Sequence, residues 1–194
     1  VSKVPVNPQW TPKAPYEEKI VNELLASGMG AGGFAEGMFN EEANGKKSLV
    51  PIDEYGNTLL HEAALHDNQH IKNMSFYCVL PALKNKNPRN IEGLTPLHII
   101  AQKAAQKGNL EICKFILGCV EDKNPKDCHG RTPLHFAAKE GHLSVCELIM
   151  VSVPDKNPSC EDGQTPLHLA AVECHLAICQ LLLLNTKNKH PKDK

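Results

Sequence analysis

Apolar and polar residues along this chain fall into two helical patterns that alternate. The short pattern reads Pro96-Leu-His-Ile-Ile-Ala-Gln102, Pro133-Leu-His-Phe-Ala-Ala-Lys139 and Pro166-Leu-His-Leu-Ala-Ala-Val172. Each copy is apolar apart from one histidine and, in two of them, the last residue. Thr95, Thr132 and Thr165 precede these words, and Thr58-Leu-Leu-His-Glu-Ala-Ala64 is a variant. Threonine is a good helix N-cap and proline is favoured at the first helical position, so each word predicts a helix whose capped start is worth about 1 kcal/mol. The long pattern follows, as in Asn109-Leu-Glu-Ile-Cys-Lys-Phe-Ile-Leu117, apolar nearly all round with Glu111 and Lys114 as a polar stripe. Ser144 and Glu147 repeat that stripe, then Ala177 and Gln180. A helix polar on one narrow face is buried on the others.

The alternation is a true repeat. Pro51, Pro88, Pro125, Pro158 and Pro191 are separated by 37, 37, 33 and 33 residues. Gly56, Gly93, Gly130 and Gly163 each stand two residues before a threonine, where a turn requires positive φ. Cys113, Cys146 and Cys179 keep the interval of 33. Units of this size bury one face on the unit before and another on the unit after, which builds a solenoid.

The Thr-Pro-Leu-His words, the glycine before them, the Ala-Ala pairs and Gly141-His142 together resemble the ankyrin repeat. The resemblance covers residues 50–194. It implies an all-α solenoid of stacked helix-turn-helix units joined by hairpin or extended loops. The units fall at about 51–87, 88–124, 125–157 and 158–190, with the start of another at 191–194. Proline in the Asp-Lys-Asn-Pro stems removes a backbone donor and favours an extended loop over a paired strand. The first two units carry four additional residues. These are expected among His66–Asn73 in the first, and as an added turn of the first helix over Ile99–Gln106 in the second. The last long pattern, His175–Leu184, has no polar outer face, so an uncovered end is expected there, to be met by a further unit or a partner.

Residues 1–49 do not match the repeat. Pro5, Pro8, Pro12 and Pro15 predict an extended arm. Ile20, Val21, Leu24 and Leu25 form a helical stripe over 16–27, a helix placed to cap the first unit. Gly28, Gly30 and Gly33 spell G-x-G-x-x-G, the fingerprint of a dinucleotide-binding turn. That turn works only between a strand and a helix. Here the glycines follow a helix, so residues 28–48 are expected to be a glycine-rich connector and no cofactor is expected.

Composition narrows the functional classes. Aromatic content of 5% means an aliphatic, alanine-rich core, and a formal charge of −1 gives no electrostatic reason to expect nucleic acid. Runs such as Leu181–Leu184 are far too short to span a bilayer. The start, Val1-Ser-Lys-Val-Pro5, has no apolar signal segment. Eight cysteines without a C-x₂-C pair argue against zinc ligands or disulfides, and Cys113, Cys146 and Cys179, at the repeat interval, read as small hydrophobes. Cys128 and Cys160 are expected exposed at loop tips, which suits a reducing compartment, the cytoplasm or nucleus. The resemblance implies that the repeated histidines, His61, His98, His135 and His168, are structural, and equivalent positions on stacked helices about 8–10 Å apart could not share one ion. No nucleophile–base arrangement emerges, so neither catalysis nor a small-molecule substrate is expected.

What varies between framework residues is therefore the candidate site. The loop tips read Glu54-Tyr55, Ile91-Glu92, Cys128-His129 and Glu161-Asp162. Before the capping threonines stand Asn57, Leu94, Arg131 and Gln164, and Gln102 and Lys139 follow the first helices. The resemblance implies that these positions line a concave face and bind another protein. Their mixture of apolar residues and both charges suits a protein better than a polyanion. Two further readings accompany this one: a recognition arm of a larger enzyme or channel subunit, and a hydroxylation substrate at Asn87, Asn124 and Asn157, each followed by proline.

Overall fold

A computed structural model describes residues 39–41, 47–49, 54–65, 85–103 and 109–186. Strands β1 (Phe39–Glu41) and β2 (Lys47–Leu49) pair antiparallel, with Phe39 opposite Leu49. This pairing corrects the expectation of a plain connector there. The residues between the strands include Asn44-Gly45, a hairpin signal the glycine-rich reading passed over. The arm, the helix expected over 16–27, the Gly28–Gly33 fingerprint and His66–Asn73 lie outside the described residues.

The repeat supplies the remaining elements. First helices are α1 (Leu59–Leu65), α2 (Pro96–Gln102), α4 (Pro133–Lys139) and α6 (Pro166–Val172). Second helices are α3 (Asn109–Cys119), α5 (Leu143–Ser152) and α7 (Leu176–Asn185). α1, α2, α4 and α6 pack in one row and α3, α5 and α7 in another. Two helical layers result, as the two apolar patterns require. Each first helix is only seven residues long. Isolated helices of that length are marginal in water, so the row exists because its members bury one another. Ala63, Ala64, Ala101, Ala137, Ala138 and Ala170 allow that close approach, and all are buried. Leu60, Leu97, Ile100, Ile112, Ile116, Leu134 and Ile149 fill the space between the rows.

In the second unit the first helix ends at Gln102, with Lys103 as its C-cap donating to the Ile99 carbonyl. The expected extra turn over Ile99–Gln106 is thus corrected. All three proline-led first helices have the same length, and the additional residues fall in 104–108, outside the described part. The loops between described units contain turns and no strand, as the proline stems predict. At the C-terminal end Ile178 and Leu182 are buried, whereas Leu176 is 70% and Leu184 83% exposed. No helix among the described residues is long and apolar enough to cross a membrane.

Candidate functional site

Two hydrogen-bond ladders place the loop tips. Within a loop, the Asn90 side-chain oxygen accepts the Glu92 and Leu94 N–H groups at 3.1 and 2.9 Å. Asp127 does the same for His129 and Arg131 at 3.0 and 2.7 Å. These are the short-range bonds by which Asn and Asp build turns. Between loops, Ile91 N–H donates to the Tyr55 carbonyl at 2.9 Å, Cys128 to Glu92 at 2.9 Å and Glu161 to His129 at 3.0 Å. The tips therefore form one continuous backbone edge. Gly93 is indispensable to it: its φ is +73°, and a Cβ there would come within 2.8 Å of the Cys128 nitrogen.

The second ladder runs through the histidines. His98 Nδ1 accepts the Thr95 N–H at 3.0 Å and meets the Thr95 hydroxyl at 2.9 Å, while Nε2 reaches the Arg131 carbonyl at 3.2 Å. His61 and His135 repeat this toward Leu94 and Gln164. A carbonyl only accepts, so Nε2 carries the proton and Nδ1 must be bare. The ring is neutral by construction. Burial, opposed in part by the carbonyl bond and the Asp127 charge, pushes His98 and His135 down to about 4. The histidines are structural, as expected, and no group of potential metal ligands occurs among the described residues.

Sequence reasoning missed a third set of cross-unit bonds. Lys103 Nζ donates to the Leu65 carbonyl at 3.0 Å, His142 Nε2 to Gln102 at 2.9 Å and His175 Nε2 to Lys139 at 2.9 Å. Each satisfies a carbonyl left open at the end of the preceding first helix. The signal was Gly141-His142, where glycine leaves room for the ring of His175: a Cβ at 141 would lie 2.6 Å from its Cε1.

On this frame the candidate residues separate. Glu54, Tyr55, Ile91, Glu92, Cys128, His129, Glu161 and Asp162 are exposed at the tips, and Gln102 and Lys139 are exposed as the last residues of their first helices. Tyr55 is 55% and Ile91 67% exposed. Asn57 is a correction: it is 8% exposed, and its side-chain oxygen accepts from Asn90 Nδ2 at 3.0 Å. Leu94, Arg131 and Gln164 are half-buried. Arg131 is also engaged: its guanidinium pairs with Asp127 at 2.7 Å and lies 4.9 Å over the Phe136 ring. Its place is structural before it is available to a partner.

The cysteines separate too. Cys113 and Cys146 are fully buried, and burial pushes both thiols up to about 12. Cys128 is exposed as expected, but Cys160 is buried, a second correction. Counting back from the capping threonine, Cys160 occupies the position of Asn90 and Asp127, inside the turn, and Cys128 the position beyond it. Asn87, aligned with Asn124 and Asn157, spends its amide on the Asp122 carbonyl at 2.9 Å.

Two stacked helical layers bound to each other by unit-spaced ladders, with variable side chains along one backbone edge, define a helical-repeat solenoid. The family model for ankyrin repeats (3 copies) matches residues 101–193, and this array belongs to the ankyrin-repeat family. No curated protein matches the chain. Ankyrin repeats are in general protein–protein interaction modules, and their fold is typically non-catalytic.

Proposed function

We propose that this array is a non-catalytic scaffold that holds a protein partner along its loop tips and concave face. The observation that carries the reading is the tip edge. Its backbone is consumed by inter-unit bonds, while its side chains, Tyr55, Ile91, Glu92, Cys128, His129, Glu161 and Asp162, project at unit spacing and differ from unit to unit. Rigid presentation of variable side chains lowers the ordering cost of binding. Free thiols throughout the described residues fit the reducing interior of a cell, the cytoplasm or nucleus.

The test is capture of partners by the native chain and by a Tyr55→Ala, Ile91→Glu double variant. Both side chains are more than half exposed, so the variant should melt with the native chain and lose the partner. Equal capture by both, at equal stability, would refute the reading. Arg131 does not belong in such a variant, because removing it takes the guanidinium partner from the buried Asp127 Oδ2.

A further inference from the structure

The exposed apolar pair at the first two tips has a complementary segment in the same chain. Tyr55 and Ile91 are adjacent, since the Ile91 N–H bonds the Tyr55 carbonyl. Between them lies Gly56, whose missing side chain leaves bare backbone against Ile91 Cγ2. Carboxylates surround this spot: Glu54 and Glu92 beside it, Glu161 and Asp162 further along the edge, all exposed. Of the cations near the tips, Arg131 pairs with Asp127 at 2.7 Å and Arg89 with Asp122 at 3.9 Å.

Residues 1–15, VSKVPVNPQWTPKAP, have the opposite character. They hold Lys3 and Lys13, no carboxylate side chain, four prolines and Trp10, the single tryptophan of the chain. In a polyproline conformation, at about 3.1 Å per residue, Lys13 lies roughly 9 Å from Trp10 and Lys3 roughly 22 Å from it. Units spaced about 8–10 Å apart set the first distance at one unit and the second at between two and three. With Trp10 at the first two tips, Lys13 then falls beside Glu54 and Lys3 beside Glu161 and Asp162. The polarity also agrees: the C-terminal end of the segment meets unit one, which it precedes in sequence.

Resting on the protein-binding reading of these tips, we propose that residues 1–15 occupy them in cis, with Trp10 seated between Tyr55 and Ile91, and that a partner must displace the arm to bind. Proline supplies a segment with little conformational freedom to lose, tryptophan a large apolar contact, and the lysines a salt-sensitive contribution.

Trp10 reports its own position. In the full chain its emission should be blue-shifted and severalfold less quenched by acrylamide than in a synthetic peptide of residues 1–15. The protection should be independent of protein concentration. It should be lost in Ile91→Glu and weakened in a Lys3→Glu, Lys13→Glu double variant and by 0.5 M salt, roughly the regime where screening is complete beyond a few ångströms. Circular dichroism melts serve as the folding control. Quenching equal to that of the free peptide overturns the proposal, as does protection that survives Ile91→Glu or that appears only at high concentration. Partner capture separates the two readings. If Trp10 is freely quenched and Ile91→Glu still abolishes capture, the arm proposal fails and the binding surface stands. If capture is also indifferent to Ile91, both fail. If the arm is bound and Trp10→Ala increases capture, both hold.

Discussion

Unit three lies between two neighbours, whereas unit four has a described neighbour on one side only. At equivalent positions 33 residues apart, Leu134 and His135 are buried but Leu167 and His168 are half-buried, and Cys146 is buried but Cys179 is not fully so. His135 Nε2–H donates a hydrogen bond to the Gln164 carbonyl, while His168 makes the same Thr165 cap bonds with no acceptor from a further unit among the described residues. The words Thr-Pro-Leu-His are identical. What differs is the neighbour, so in this fold burial and hydrogen bonding belong to the interface between units as much as to the unit.

Acid should break the comparison most strongly. His98 and His135 sit near 4 in the folded chain against an ordinary value of 6.5, so the unfolded chain binds more protons between those values. Their contribution is intact above pH 6.5, falls as the pH drops, and is gone by pH 4. Each is worth roughly 3 kcal/mol over that window. Urea titrations across pH 4–7 should show the loss, and His135→Gln should flatten it.

Next comes the core. Leu134→Ala should cost about 2–5 kcal/mol, as buried leucine truncations do, and Leu167→Ala clearly less, because part of that side chain is already in water. Equal losses in urea unfolding would mean that unit four is covered in solution. A smaller contrast is expected for cysteine: Cys146→Val should be tolerated within about 1.5 kcal/mol, whereas Cys128 should react with a thiol reagent far faster than native Cys146, whose thiol is buried and pushed up to about 12.

The smallest effect should be a gain. Cys174 stands where unit three has Gly141, and its φ of +59° is unusual for a residue with a side chain. Cys174→Gly should relieve strain of about 1 kcal/mol, partly offset by the unfolded-chain entropy of glycine, leaving a small rise in melting temperature.

Much of this was legible in sequence, for definite reasons. Thr, Pro, Gly and the alanine pairs are dictated by local backbone geometry and close approach, so their spacing specified the helices, the turns and the solenoid. The buried state of Asn57 was not legible, because it depends on Asn90 from the next unit. Nor was the commitment of Arg131, which required Asp127 and Phe136 to converge on one side of a turn. Cys160 shows the intermediate case. Its one-position offset from Cys128 was visible in the letters, but that this offset separates turn interior from turn tip emerged only from the Asn90 and Asp127 bonds.

The seat that Gly141 makes for His175 also governs how such an array can lengthen by gene duplication. A tandem copy of residues 125–157 would reproduce its own joint, because a copied Gly141 faces a copied His142 as it now faces His175. A tandem copy of residues 158–190 would not. It would set the ring of the copied His175 upon the Cβ of Cys174, in the space where a Cβ at Gly141 would come within 2.6 Å of the imidazole. The third unit thus carries a seat for the histidine of a following copy and the fourth does not, and the single change Cys174→Gly would supply it.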